Sequence, residues 1–188
     1  MAVGVALLAL VACVLSLRTV VDAWRPVLDR EAPNVQTAPA RGFPDGWVTV
    51  TATDGTFQVT APGPGTISEA THGVWRLDLH SWIGGSCSLY LTWAGLVPDP
   101  QTYTRSRLEN WLAKMTDPQG ELNPVRVGNA FGWRVKMTYE DGSIPVGTFQ
   151  VLYAHGWEYS MGCALGYTHL PSSDRLTLRF LDSLRTPA

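Results

Sequence analysis

The chain is predicted to fold as an α+β domain, an antiparallel sheet with helices packed on it. Two observations point there. Between residues 131 and 165, Trp133, Val135, Met137 and Tyr139 alternate with Arg134, Lys136, Thr138 and Glu140. Phe149, Val151 and Tyr153 then share a face, and so do Trp157, Tyr159, Met161 and Cys163. A period of two marks half-buried strands. Asp141-Gly142 and His155-Gly156 between the runs suit tight turns that need positive φ. The second observation is the order of elements: strands, a helical stripe, more strands, then a second helical stripe, which is an α+β pattern.

Taken in order, residues 47–52 and 57–60 flank Thr53-Asp54-Gly55-Thr56, and Asp-Gly between β-branched runs is a hairpin signal. Pro62-Gly63-Pro64-Gly65 breaks regular structure. Residues 74–83 alternate again, with Trp75, Leu77 and Leu79 inward, and Gly84-Gly85 turns the chain. Cys87, Leu89, Leu91 and Trp93 form the inward face of the next strand. Asp99 is placed to cap a helix with Pro100 at its first position. Leu108, Trp111, Leu112 and Met115 make one apolar stripe on it, and Asp117-Pro118-Gln119-Gly120 ends it. Residues 125–127 form a short strand leading to the meander. After the meander, residues 171–174 start a second helix with Leu176, Phe180 and Leu184 as its stripe and Leu181 beside them.

Ahead of this domain, expected at residues 46–188, lie two further segments. Residues 1–21 are a hydrophobic helix that anchors or targets the chain. Residues 2–17 carry no charge; as a helix they span roughly 24 Å at about 1.5 Å per residue, short of the roughly 30 Å hydrocarbon core. Val20 and Val21 extend the run if Arg18 snorkels. Three readings stay open: a membrane anchor, a lipoprotein signal in which Leu10-Val11-Ala12-Cys13 is the lipobox and Cys13 takes the lipid, and a cleaved secretory signal or, less simply, a buried helix. Residues 22–45, with Pro26, Pro33, Pro39 and Pro44, read as an extended linker.

Composition narrows the function classes. Charged residues are 16% of 188 and the net charge is −2, with no basic cluster to hold a phosphate backbone, so nucleic acid is not an expected partner. There is no Cys-x-x-Cys or Cys/His cluster for a metal, no Gly-x-Ser-x-Gly elbow and no phosphate loop. Neither a catalytic residue nor a cofactor is therefore assigned. Asp78 and His80 share an outward strand face that meets Glu158 or Ser160 if those strands are neighbours, with Ser81 and Ser86 near in sequence; an ordinary solvated face explains them more simply.

Several phrases, in this order, resemble the PsbP-like or Mog-type α/β/α sandwich: Phe57-Gln58-Val59-Thr60-Ala61-Pro62, Gly132-Trp133-Arg134-Val135, Gly156-Trp157-Glu158-Tyr159 and Arg179-Phe180-Leu181-Asp182-Ser183-Leu184. The resemblance covers residues 47–185. That family includes extrinsic photosystem subunits, a Ran-binding nuclear import factor, and bacterial lipoproteins and membrane-tethered domains. It implies a non-catalytic scaffold that acts by binding.

Cys87 and Cys163 both point to the expected core face, either as a disulfide or as two buried thiols. A bridge implies an oxidising compartment. The arginines that follow the apolar run, Arg18, Arg25 and Arg30, argue for a cytoplasmic domain by the positive-inside rule; the cysteine pattern and the resemblance argue for the opposite side, and we follow them. Trp82, Tyr90 and Leu152 fall on the strand face away from the core residues and make a binding patch unless a helix covers them. Tyr167 and His169 in the 166–173 loop are the other binding candidates. The expectation is thus an extracytoplasmic, non-catalytic binding or assembly module, held at the cell membrane by its N-terminal segment, with a protein partner or envelope component. A small-molecule or lipid carrier is the alternative, and a hydrolase is the weakest reading.

Overall fold

β-Branched and aromatic residues at alternate positions form the strands of two antiparallel sheets in the computed structural model. It describes residues 32–63, 66–71, 74–79, 86–114, 120–137, 147–164 and 171–187. The hydrophobic helix expected over residues 1–21, with Cys13, lies outside the described residues. Strands β1 (Val35–Pro39), β2 (Trp47–Ala52) and β3 (Gln58–Pro62) make a three-stranded sheet in that order. Strands β4 (Thr66–Thr71), β5 (Val74–Leu79), β6 (Ser86–Trp93), β7 (Leu122–Val127), β8 (Ala130–Met137), β9 (Gly147–Ala154) and β10 (Trp157–Ala164) make a seven-stranded sheet ordered β4-β5-β6-β10-β9-β8-β7. Helix α1 (Pro100–Leu112) connects β6 to β7, and helix α2 (Pro171–Leu181) follows β10.

The three strands of the meander and the early hairpin form as the alternation predicts, while the expected Asp141-Gly142 turn and Tyr139 lie outside the described residues. His155 and Gly156 make the β9–β10 turn with φ of 50° and 84°, the doubly left-handed geometry of a two-residue hairpin. A Cβ on Gly156 would sit 2.5 Å from the Trp93 ring, so the turn needs glycine for space as well as for its backbone angle. Asp99 caps α1: its carboxylate accepts from the backbone N–H groups of Gln101 and Thr102 and from the Thr102 hydroxyl, with Pro100 in the first turn. Met115, expected in the stripe of α1, lies outside the described residues.

The large sheet is covered on both faces, as the resemblance to an α/β/α sandwich implies, whereas the strand alternation is read with a single core face. Register decides which residues go where. Tyr159 pairs with Leu91 and Leu152, and Ser160 pairs with Tyr90 and Val151. On the Tyr159 face, Leu77, Leu89, Leu91, Leu152 and Met161 pack against Val50 and Val59 of the small sheet, Phe57 of its β2–β3 turn, and Phe180, Leu181 and Leu184 at and beyond α2. On the Ser160 face, Val135, Met137 and Val151, with Trp133 and Phe149, pack beneath Leu108, Trp111 and Leu112 of α1. Leu152, expected with Tyr90 on one outward face, is therefore fully buried on the opposite side from it.

A second correction concerns the linker. Val35–Pro39, read as part of an extended spacer over residues 22–45, is the edge strand of the small sheet, in register with β2 from Val35↔Ala52 to Pro39↔Val48. The compact unit begins at Ala32, ahead of the boundary expected at residue 46. Proline is admitted because an edge strand leaves one row of N–H groups unpaired. Strand β4, after the Pro-Gly run, is an addition that its short polar sequence, TISEAT, does not announce.

The C-terminal phrase has a clear structural job. The Ser183 hydroxyl accepts from the backbone N–H of Thr60 at 2.9 Å and lies 3.0 and 2.7 Å from the carbonyls of Thr60 and Phe180. Two residues on, Arg185 exchanges both backbone hydrogen bonds with Gln58 at 2.8 Å. The chain end thus seals the free edge of β3. Removing the hydroxyl strands a half-buried backbone donor, so Ser183→Ala is expected to lower the unfolding free energy by about 1–3 kcal/mol, read as a lower denaturation midpoint with an unchanged m-value.

Candidate functional site

Alternation along β6 and β10 sets Ser88, Tyr90 and Thr92 beside Gly162, Ser160 and Glu158 on the α1 side of the sheet. Helix α1 lies over β8 and β9, and its flank and the strands beside it enclose a groove of about 390 Å³. Tyr90, Ser88, Thr92 and Ser160 form its floor, while Arg107, Asn110, Trp111 and Lys114 form the helix wall. Phe149 closes one end. Its ring lies over Gly162, where a Cβ would meet it at 2.1 Å, and it packs against Trp111 with centroids 4.5 Å apart. Tyr90 is half-buried, with the Arg76 guanidinium 5.6 Å from its ring centre.

Glu158 supplies the electrostatics. Its side chain is only 2% exposed. One carboxylate oxygen accepts from the Tyr103 hydroxyl and from Arg107 Nε, both at 2.7 Å. The other accepts from Arg107 Nη2 at 3.1 Å and from the Ser160 hydroxyl at 3.0 Å. A buried charge needs such a set of donors. Tyr103 and Arg107 are one helical turn apart, so both reach the same carboxylate, which ties α1 to β10. Burial pushes the Tyr103 phenol well above its ordinary value, and its hydrogen bond to Glu158 adds to the rise. The bond to Glu158 likewise raises Arg107, against its partial burial. With its lone pairs taken, the carboxylate is a structural tie in this arrangement.

Tyr153 fixes the lead-in to α1: its hydroxyl donates to the carbonyl of Gly95 at 2.7 Å and accepts from the Val97 N–H at 3.3 Å. Below the groove, on the opposite sheet face, Cys87 and Cys163 sit directly across from each other in β6 and β10 and form a disulfide with a Cα separation of 4.0 Å. The expected pairing is therefore present. Of the binding candidates, Tyr90 lines the groove, while Trp82, Tyr167 and His169 lie outside the described residues. So do His80 and Ser81 of the weakest, hydrolytic reading. Among the described residues no group of three or more His, Cys, Asp or Glu is placed to hold a metal ion. Sequence reasoning missed the Arg107–Glu158 pair. The available signal was a glutamate inside the otherwise apolar run WEY, together with Tyr103 and Arg107 four residues apart on the helix.

No protein-family profile and no curated protein sequence matches the chain. Among solved structures, the solution structure of cyanobacterial PsbP (CyanoP) from Synechocystis sp. PCC 6803 superposes with a TM-score of 0.53 at 12% identity, over 80% of this chain and 98% of that one. The chain has a PsbP-like fold. In this fold, the groove beside α1 is the concavity that the sequence-predicted Tyr90 lines.

Two outcomes follow from the geometry. Arg107 is half-exposed and can be resolvated, whereas Glu158 cannot, so the two halves of the pair are unequal. Arg107→Met should cost about 3 kcal/mol, as for a carboxylate left buried without its cation, and Glu158→Gln about 1 kcal/mol, compared by urea denaturation at neutral pH. Tyr103 and the buried Tyr159 phenol, raised mainly by desolvation, are both held above the ordinary 10.0. A raised folded value contributes stability that is present below pH 10.0 and is lost as pH rises through the folded value. Stability should therefore fall at alkaline pH, and Tyr103→Phe should make the decline between about pH 10 and 12 shallower.

Proposed function

We propose that this PsbP-like domain is a non-catalytic binding module, held at the outer side of a cell membrane by its N-terminal apolar segment and engaging a protein of the cell envelope through the groove beside α1. The observation that carries the reading is the half-covered sheet face. Helix α1 lies over β8 and β9, and the strip of β6 and β10 beside it presents Ser88, Tyr90, Thr92 and Ser160 to a groove whose walls are partly aromatic. A half-apolar concavity with a ring of hydrogen-bonding groups suits recognition. Its charged centre, Glu158 with Arg107, is committed to holding the helix. The disulfide supports an oxidising compartment. The uncharged run over residues 2–17 supports a tether, either as a helix or through a lipid on Cys13. The resemblance in sequence phrases supports action by binding.

The carrier reading has one observation in its favour: Tyr90, Trp111 and Phe149 all line the groove, as an apolar small molecule would require. The two readings separate in one experiment. A photo-cross-linking residue in place of Tyr90, in cells making the full chain, is expected to give a discrete protein adduct, and the same residue in place of exposed Asn123 on β7 is expected to give none. Adducts that contain only lipid or small molecule would favour the carrier. Equal labelling from both positions would remove the groove as the site. Thiol labelling of the same cells, lysed directly into denaturant, tests the compartment: Cys87 and Cys163, both buried in the fold, should react only after reduction, and reaction without reductant would return the domain to the cytoplasm.

A further inference from the structure

The outer side of α2 carries a positive face on a chain of net charge −2. Arg175, Leu178 and Arg179 lie three and four residues apart, on one side of the helix. All three are exposed, and Leu178 is an exposed large apolar side chain at 40%. The Arg179 guanidinium lies over the Phe43 ring, 4.9 Å from its centre, and donates to the Gly42 carbonyl. Arg185 is held by its backbone pairing with Gln58, and its guanidinium donates to the Leu184 carbonyl at 2.9 Å. These three arginines line one concave surface of about 610 Å³ together with the outward threonines Thr49 and Thr60 of the small sheet. The carboxylate on that surface, Asp182, is ion-paired with Arg134.

Guanidinium groups at this density select an oxyanion, phosphate above all. Two features choose a lipid source over a free phosphate. Leu178 stands among the arginines, and an exposed apolar side chain flanked by cations is what a headgroup–acyl boundary accommodates. The first strand after the apolar segment in sequence, β1, also belongs to this same layer. Residues 22–31 reach at most about 35 Å when extended, and β1 begins at Val35. Gln36 of β1 is in register with Thr51, Thr51 with Gln58, and Gln58 is bridged to Arg185. The basic surface and this first strand therefore belong to one three-stranded sheet.

We propose that the outer face of α2 and the small sheet is a docking surface for anionic phospholipid headgroups. Docked this way, the domain lies flat on the membrane that anchors it. Because α1 covers the other face of the seven-stranded sheet, its groove then opens away from the bilayer. The docking rests on the tether proposed above, and the two fail separately.

In the test, an environment-sensitive fluorescent amino acid replaces Leu178 in the full chain, which is mixed with vesicles of phosphatidylcholine alone or of phosphatidylcholine with phosphatidylglycerol. Flotation reports the tether, and emission reports the docking. The expected result is flotation with both compositions and a blue-shifted, brighter label on the phosphatidylglycerol vesicles alone. The shift should fade near 1 M salt, where the Debye length is about 3 Å. Arg175→Gln should lower the docked-to-undocked ratio about fivefold, as expected for one cation near an anionic surface. Flotation with both compositions and an unchanged label overturns the docking and leaves the tether standing. Flotation with phosphatidylglycerol vesicles alone, with the label shift, supports the docking and overturns the tether. No flotation with either overturns both. A matching spectral change with inorganic phosphate and no vesicles overturns the membrane as the occupant in favour of a soluble anion.

Discussion

Strands β9 and β10 are buried on both faces at nearly every position, Phe149 and Ser160 beside the groove being the partly exposed ones, and the rest of the molecule follows from that constraint. A strand residue always faces one side or the other, so a sheet centre with two apolar faces needs two covers. Helix α1 is one cover, seated on Val135, Met137 and Val151. The small sheet with α2 is the other, seated on Leu89, Leu91, Leu152 and Tyr159. Each cover is also fastened by one buried polar group from these central strands. Glu158 of β10 holds α1 through Tyr103 and Arg107. Gln150 of β9 donates to the Leu181 carbonyl at the end of α2 at 2.8 Å and accepts from Arg134. A third tie, the Tyr159 hydroxyl donating to the Thr56 carbonyl at 2.7 Å, pins the β2–β3 turn to the large sheet. Apolar burial supplies most of the cohesion but has no direction; these bonds give each cover a fixed position.

The same constraint leaves the groove. One helix is about 10 Å wide with its side chains, enough for two or three strands at about 4.8 Å spacing. The seven-stranded sheet is wider, so α1 over β8 and β9 leaves β6 and the far side of β10 to hydroxyl-bearing residues. Beneath that strip the disulfide joins β6 to β10. The floor is thus held by ladder hydrogen bonds and a covalent link, and its far side is packed on the small sheet. A rigid floor with a helical wall loses little conformational entropy when something binds to it.

Much of this was legible in the sequence where the signal is local. The Asp-Gly hairpin, the His155-Gly156 turn and the Asp99-Pro100 cap each depend on a few neighbouring residues, and each formed where expected. The Cys87–Cys163 pairing was legible because both side chains have the parity of the core face. Parity within one strand does not say how strands align, and there the reading failed. Tyr90 and Leu152 look alike from their own strands, yet the registers Tyr90↔Ser160 and Leu152↔Tyr159 put them on opposite faces. Strand β1 was hidden by Pro39 within it, by Pro33 ahead of it and by its edge position, where side chains stay exposed and carry no hydrophobic pattern. The Glu158 tie spans 51 residues to Arg107 and exists only once helix and sheet have met. The fold class was therefore readable, and the groove was readable only at Tyr90.

Native-state hydrogen exchange, followed amide by amide, tests the two-cover account most directly. Amides in β9 and β10 should exchange only through global unfolding, with free energies equal to the stability from denaturation, while those of the edge strands β1 and β4 exchange through local opening at lower free energy. Exchange in β10 as fast as in β1 would contradict it, because a strand paired along both edges and buried at nearly every position has no local route to water.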